Sequence, residues 1–115
     1  MSQNQEPPAE GIRDGDPIGM DALAGALTRS PLAYSDGTAQ VFLPDGSTTF
    51  TERDGSRTTG EWGVDEGGRF WSFWPPSYRA EYDVSWAVES TRVVGVRFQE
   101  RARGATSDGR YVDGD

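Results

Sequence analysis

Residues 79–89 read Arg-Ala-Glu-Tyr-Asp-Val-Ser-Trp-Ala-Val-Glu, and this stretch decides the fold class. From Ala80 to Val88 every second residue is apolar, while the residues on the other parity are mostly charged. A period of two puts alternate side chains on opposite faces of an extended chain. The stretch therefore predicts a long β-strand with one face on a core and the other in water.

The segment that follows repeats this alternation. Val94, Val96 and Phe98 share one parity, and Arg97 and Arg101 share the other. Two long antiparallel strands joined near residues 90–91 are predicted, because opposite charges on one face of paired strands stabilise the pair. The acidic residues expected opposite the two arginines are Glu81, Asp83 and Glu89.

Turn dipeptides divide the region before and after these strands, and such pairs are typical of β-hairpins. They are Asp36-Gly37, Asp45-Gly46, Asp54-Gly55, Gly67-Gly68 and Asp108-Gly109, of which the first three are nine residues apart. The predicted strands cover residues 38–43, 47–53, 57–64, 69–74, 78–89, 92–102 and 105–112. This spacing predicts a mainly β fold, an antiparallel meander that forms a small barrel or a curled sheet.

The N-terminal segment divides into a tail and a helix. The chain begins with a polar stretch that shows no periodicity, which predicts a flexible acidic tail. Asp16-Pro17 is a helix-start signal, and Leu23 and Leu27 recur at helical spacing before Ser30-Pro31. One short helix is therefore predicted. The organisation is a tail at residues 1–16, a single domain at 17–112 and a C-terminal tail at 113–115.

The composition excludes several kinds of chemistry. The 115 residues include no Cys and no His, so Ser-His-Asp and Cys-His nucleophile systems, the usual zinc sites and haem ligation by these residues are excluded. We predict no cofactor and no metal site, and a noncatalytic protein is favoured over an enzyme. The formal net charge is −8 and all eleven basic residues are Arg, which predicts no nucleic-acid partner because a polyanion would be repelled.

The hydropathy pattern bears on location. The N-terminal residues have neither a basic start nor the apolar stretch of a secretory signal. No apolar run approaches the ~20 residues that a membrane span requires. We therefore expect no membrane association and a cytoplasmic location.

The order of several short motifs resembles a known family. A short Ala- and Leu-rich helix is followed by Tyr34-Ser35-Asp36-Gly37-Thr38, by Gly60-Glu61-Trp62, and by an aromatic strand that ends at Trp74. This order is similar to that of small bacterial lipocalin-like domains, over roughly residues 20–98. The resemblance implies a calycin-like β-barrel and a tendency to hold a small apolar ligand inside it.

One set of side chains forms the candidate ligand site. Rings of inward parity on successive strands converge inside a barrel, and flat apolar rings suit a hydrophobic ligand. Arg92 has the parity of Val94 and Val96 and is expected to point inward, with Glu100 as a candidate partner. The candidate ligand-binding residues are Trp62, Phe70, Trp74, Tyr82, Trp86, Phe98 and Arg92. The alternative is that the rings simply fill a solid core.

Three functions agree with these patterns. The leading hypothesis is a binding module for a small hydrophobic ligand in an aromatic-lined barrel. The second is a protein-interaction or homodimerisation module with a solid core, whose interface is formed by residues 70–76 and the N-terminal helix. Residues 70–74 are apolar on both parities, and both faces of such a strand need cover. The third is a cofactor-free barrel enzyme that acts by positioning its substrate.

Overall fold

The computed structural model of the protein describes residues 11–113. Within them, eight antiparallel strands in consecutive order form a closed barrel, and one helix precedes them. The helix α1 is Met20–Thr28. The strands are β1 Leu32–Tyr34, β2 Ala39–Phe42, β3 Ser47–Thr51, β4 Arg57–Val64, β5 Phe70–Trp74, β6 Tyr78–Glu89, β7 Arg92–Glu100 and β8 Thr106–Tyr111. The predicted mainly β class with a short N-terminal helix is confirmed.

The predicted strands correspond to β2 to β8, and β1 is an addition. β1 contains only three residues, which is too short for a period of two to be recognised. It pairs with β2 on one side and with β8 on the other, so it closes the sheet. The structure is therefore a barrel rather than a curled sheet, since no strand edge remains to be protected.

The first three Asp-Gly pairs make the same kind of hairpin turn. In the first, the Gly37 N–H donates to the Tyr34 carbonyl, and the Tyr34 N–H donates to the Thr38 carbonyl. Gly37 has a φ of 92°, which a residue with a side chain rarely adopts. This is a tight turn followed by a left-handed glycine, a common hairpin connection, and its nine-residue repetition is the period seen in the sequence.

The helix begins later than the Asp16-Pro17 signal predicts. Its N-cap residue is Gly19, with no side-chain cap, and Asp16 instead accepts a hydrogen bond from the Arg13 N–H. Pro17 instead forms an isolated antiparallel bridge with Ser85 of β6. The predicted start was wrong because an Asp-Pro pair is equally suited to an extended segment at the rim of a sheet.

Part of the predicted tail lies against the barrel. Residues 1–10 are outside the described residues, whereas residues 11–16 form a turn beside β6. The Gly15 N–H donates to the Trp86 carbonyl, and the Trp86 N–H donates to the Asp16 carbonyl. The Asp14 carboxylate accepts hydrogen bonds from the Val88 N–H and from Arg97.

The two ends of the barrel differ. Successive strands run in opposite directions, so the turns at residues 43–46, 65–69 and 90–91 meet at one end, which we call the closed end. The helix covers this end, and Leu23 and Leu27 of its buried face are fully enclosed. The Tyr111 hydroxyl donates to the Ala26 carbonyl at 2.7 Å and ties β8 to the helix. The turns at residues 35–38, 52–56, 75–77 and 101–105 form the other end, which we call the open end.

Candidate functional site

A cavity of about 1020 Å³ occupies the open half of the barrel. Its floor is formed by Phe42, Phe70 and Phe98, which also belong to the buried core. Its upper walls carry further rings from β1, β3, β5 and β6, and its rim reaches exposed residues of the turns. The aromatic residues that line it are Tyr34, Phe42, Phe50, Phe70, Trp74, Tyr82 and Phe98.

The rings at the floor pack on one another and close the cavity below. The centroids of Phe70 and Phe98 are 5.5 Å apart, and those of Phe70 and Tyr82 are also 5.5 Å apart. Phe42 stacks on Phe98 at 6.0 Å. Centroid distances of 4.5–7 Å are those of favourable ring pairs, so the floor is a packed layer that separates the cavity from the closed end.

A chain of hydrogen bonds crosses the wall between β1 and β3. The Tyr34 hydroxyl donates to Gln40 Oε1 at 2.7 Å, and Gln40 Nε2 donates to Thr48 Oγ1 at 3.0 Å. Thr48 in turn donates to the Val41 carbonyl at 2.8 Å. Burial raises the pKa of the Tyr34 phenol well above its ordinary value, so this group stays protonated. The wall is therefore polar but uncharged at this point.

Other polar groups lie across the cavity. Ser72 is buried, and it lowers the pKa of Tyr82 against the larger opposite effect of burial, so the pKa of Tyr82 is raised overall. Outside the cavity lining, near the open end, the Tyr78 hydroxyl donates to Glu100 at 2.7 Å, and this bond raises the pKa of Tyr78. The cavity thus combines apolar rings with a few hydrogen-bonding groups, which is the usual construction of a small-molecule site.

The charged residues at the rim are mostly acidic. Asp36, Glu52 and Asp108 line the cavity, and Arg97 is the cation among the lining residues. The Arg97 guanidinium donates to Asp108 at 2.7 Å and to Asp14 at 3.2 Å. Its hydrogen-bonding capacity is therefore directed to carboxylates of the protein.

The structure places four of the seven predicted ligand-binding residues in the cavity wall. These are Phe70, Trp74, Tyr82 and Phe98. Trp62 lies in the core instead, and its indole N–H donates to the Leu43 carbonyl at the closed end. Trp86 packs against the same core from β6 and does not line the cavity. Odd and even position predicts which residues face inward, but it does not predict their height in the barrel.

Arg92 lies away from these rings. It is exposed at the start of β7, close to the closed end, whereas Glu100 is at the other end of the same strand. It lines a second, smaller cavity of about 370 Å³ with Glu89, Val93 and Arg110. The inward parity expected for Arg92 does not hold, because a bulge between Ala87 and Val88 shifts the pairing register at this point.

Several lining residues were not among the predicted ones. Tyr34 lies on the strand that was too short to recognise, and Gln40 and Ser72 are polar residues at inward positions. Phe42 and Phe50 lie on the strands between the first three Asp-Gly turns, and their inward parity was the signal available for them. Polar inward residues interrupt an apolar pattern, so alternation alone does not find them.

The outer face of β5 explains why this strand is apolar on both sides. The Trp71 ring lies over Gly63, where a Cβ would come within 2.7 Å of it, and Arg79 is 4.8 Å above the same ring. The outward ring is thus covered by neighbouring strands and by a cation–π contact. The homodimer or protein partner expected at this face stays a prediction.

Arg97 and Arg101, the two arginines expected on the outer face of β7, are both ion-paired. Arg101 contacts Asp83 at 2.9 Å, as expected, while Arg97 contacts Asp108 rather than an acid of β6. Arg110 of β8 forms a further ion pair with Glu89 of β6 at 2.7 Å. Such exposed pairs contribute little to stability individually.

Comparison of the chain with protein-family profiles, with curated proteins and with solved structures finds no match. Among residues 11–113, no helix has the length and apolar character needed to cross a bilayer.

Proposed function

We propose that the protein binds a small, largely apolar molecule in the open half of its barrel, in the manner of lipocalin-like domains. The cavity of about 1020 Å³ and its lining of seven rings carry this proposal. Small-molecule sites commonly measure about 300–1000 Å³ and are lined by aromatic side chains with a few polar groups. A closed sheet with an aromatic interior supplies both features.

The rings of the open half remain available to a ligand because other groups fill the closed half. Leu23 and Leu27 of the helix occupy the space below the ring floor. Phe50 and Trp74, by contrast, are only half-buried, and their centroids are 6.4 Å apart across the upper wall. Covering these partly exposed rings with an apolar ligand would remove their remaining surface from water and favour binding.

A matched pair of variants tests the proposal. Thr58 faces the cavity opposite Phe50, whereas the adjacent Thr59 is on the other parity and does not line it; both are exposed. Thr58→Trp would obstruct the opening, and Thr59→Trp adds the same side chain outside. With uncharged probes such as Nile red, we expect saturable binding to the natural chain, about tenfold weaker binding to Thr58→Trp, and unchanged binding to Thr59→Trp.

Binding would be measured from probe emission and from tryptophan fluorescence, since Trp74 is part of the wall. A flat response to chemically varied apolar probes would refute the proposal. Equal weakening by both tryptophan substitutions would place the probe outside the barrel.

A further inference from the structure

The hydrogen-bond chain in the cavity wall has a fixed direction. The Val41 carbonyl accepts only, so the Thr48 hydroxyl must donate to it, and its oxygen is then the acceptor for Gln40. The group of Gln40 that faces Thr48 is consequently the amide nitrogen, and its oxygen faces Tyr34. Because that oxygen accepts at 2.7 Å, the proton of the Tyr34 hydroxyl is committed to the protein. Tyr34 can therefore only accept a hydrogen bond from a ligand.

The rim of the cavity also presents mainly hydrogen-bond acceptors. The Thr38 hydroxyl donates to Asp36 Oδ1 at 2.6 Å, so its oxygen too is left as an acceptor. The carboxylates of Asp36, Glu52 and Asp108 line the cavity as further acceptors, and hydrogen bonds from Thr38 hold the pKa of Asp36 below its ordinary value. Four of the five N–H groups of Arg97 donate to Asp14 and Asp108.

The donors that remain are weak by comparison. Six further hydroxyls line the cavity, and each can either donate or accept, so they favour neither a donor nor an acceptor on the ligand; they belong to Ser35, Thr58, Ser72, Tyr82, Thr106 and Ser107. The second amide hydrogen of Gln40 is a neutral donor, and hydrogen bonds to ionised groups are roughly twice as strong as neutral ones. Arg53 and Arg103 lie near Asp36 and near Tyr78 and Tyr82 respectively, but neither lines the cavity.

We infer that the ligand is an apolar ring system that carries a hydrogen-bond donor, best of all a protonated amine, and that the site discriminates against carboxylates. The apolar part lies on the rings of the floor, and the donor lies against Tyr34 and the acidic rim. This inference rests on the proposed function, because it concerns the same cavity.

Three compounds with one ring system and different polar groups test it: 2-(1-naphthyl)ethylamine, 2-(1-naphthyl)ethanol and 3-(1-naphthyl)propanoic acid. Isothermal titration calorimetry on the full chain at pH 7 would give their affinities. We expect the amine to bind most tightly, the alcohol next, and the acid at least tenfold more weakly than the amine. The amine's advantage over the alcohol is expected to shrink as salt is added, because the rim is exposed to solvent.

The direction of the hydrogen-bond chain is tested by Thr48→Val, a change of similar shape at a fully buried position that does not line the cavity. Without the Thr48 hydroxyl, the Gln40 amide can turn over and Tyr34 can donate. Thr48 is thus a positioning residue, and we expect its loss to reduce the amine-to-acid affinity ratio several-fold. Tyr34→Phe is expected to reduce the same ratio. Tyr111→Phe is the control, because it removes another buried phenol that bonds a carbonyl, but at the closed end.

The outcomes separate the inference from the proposed function. Equal affinities for the three compounds, or tightest binding of the acid, would overturn the donor preference and leave the apolar site intact. No binding of any compound would overturn both. The assigned role of the hydrogen-bond chain would be overturned if Thr48→Val and Tyr34→Phe bound the amine in preference to the acid by as large a factor as the control Tyr111→Phe.

Discussion

The closed and open halves of the barrel are built from the same strands and share one kind of turn, yet one half is packed and the other holds a cavity. Asp45 turns the chain at the closed end with the same hydrogen bonds that Asp36 and Asp54 make at the open end. The strands alternate inward and outward residues in both halves. What differs is the helix, whose Leu23 and Leu27 enter the closed end. A meander of hairpins thus makes a barrel, and a separate element decides which end is filled.

The largest loss of stability is expected at a position in the closed half that has no room for an added carbon atom. A Cβ at Gly95 would collide with the Gly109 carbonyl oxygen and lie 2.9 Å from the Arg110 Cα, both on the paired strand β8. Since backbone atoms cannot turn aside, we expect Gly95→Ala to lower the free energy of unfolding by about 3 kcal/mol, measured by urea denaturation.

The matched change in the open half is Ser72→Thr, which adds a methyl group to a residue that lines the cavity. We expect it to cost less than about 1 kcal/mol, because Ser72 borders the cavity rather than a paired backbone carbonyl and a β-branched residue suits a strand. Similar costs for the two substitutions would mean that the halves do not differ in packing.

The next effect separates stability from binding. Leu27 is fully buried, so Leu27→Ala is expected to cost about 2–5 kcal/mol through lost contacts and a new cavity. Phe50 is half-buried in the cavity wall, and Phe50→Ala is expected to cost only about 1–2 kcal/mol, because less apolar surface is lost from the interior.

The two substitutions are expected to affect probe binding in the opposite order to their effects on stability. At temperatures where both variants are folded, Phe50→Ala is expected to lower the affinity for uncharged apolar probes several-fold. Leu27→Ala is expected to leave this affinity unchanged. Loss of binding in Leu27→Ala with no loss in Phe50→Ala would show that the ligand occupies the closed half.

The dependence of stability on pH is expected to be the same for both halves. Hydrogen bonds from backbone N–H groups or hydroxyls lower the pKa below 3.8 at both ends of the barrel. The residues concerned are Asp14, Asp36, Asp45, Asp54 and Asp65. A depressed folded-state pKa stabilises the fold above the unfolded value of 3.8, and this contribution disappears as pH falls through the folded value.

We therefore expect the urea midpoint to be nearly constant from about pH 5.5 to 8.5, because the chain has no His to titrate there, and to fall below about pH 4. A rise in stability on acidification below this value would contradict the assigned turn hydrogen bonds. Asp45→Asn, which keeps a side-chain acceptor but does not ionise, is expected to reduce the slope of the acid limb.

The smallest effect concerns the helix itself. Gly25 has nothing within 4 Å of an added Cβ, and it is exposed within α1. Gly25→Ala is expected to stabilise the protein by about 0.5–1 kcal/mol through helix propensity, and probe affinity is expected to stay unchanged. Weaker binding of the probe to Gly25→Ala would indicate that the helix is coupled to the cavity through the ring floor.

Much of the fold could be predicted from local patterns. The alternation in β6 and β7 and the repeated Asp-Gly turns determine strands, parity and antiparallel order, because each depends on residues close in the chain. The start of the helix was missed because Asp16-Pro17 is ambiguous without its partner Ser85. β1 was missed because three residues are too few to show a period, although they complete the barrel.

The candidate site was only partly predictable for a related reason. Parity assigns Trp62 and Trp74 to the same interior, but Trp62 lies in the filled half and Trp74 in the open half. The height of a ring in a barrel depends on the register between strands and on where the helix packs, and both are set by residues far apart in the sequence.

The sequence by itself determined the class of the protein: an acidic chain without Cys or His, folded as an antiparallel meander with aromatic rings on the inward parity. Those properties depend on composition and on short-range spacing. The tertiary structure alone decided that the meander closes, that the helix fills one end, and that Tyr34, Gln40 and Thr48 join into a directed chain of hydrogen bonds beside an open cavity. These features arise from long-range packing and pairing, which no local pattern records.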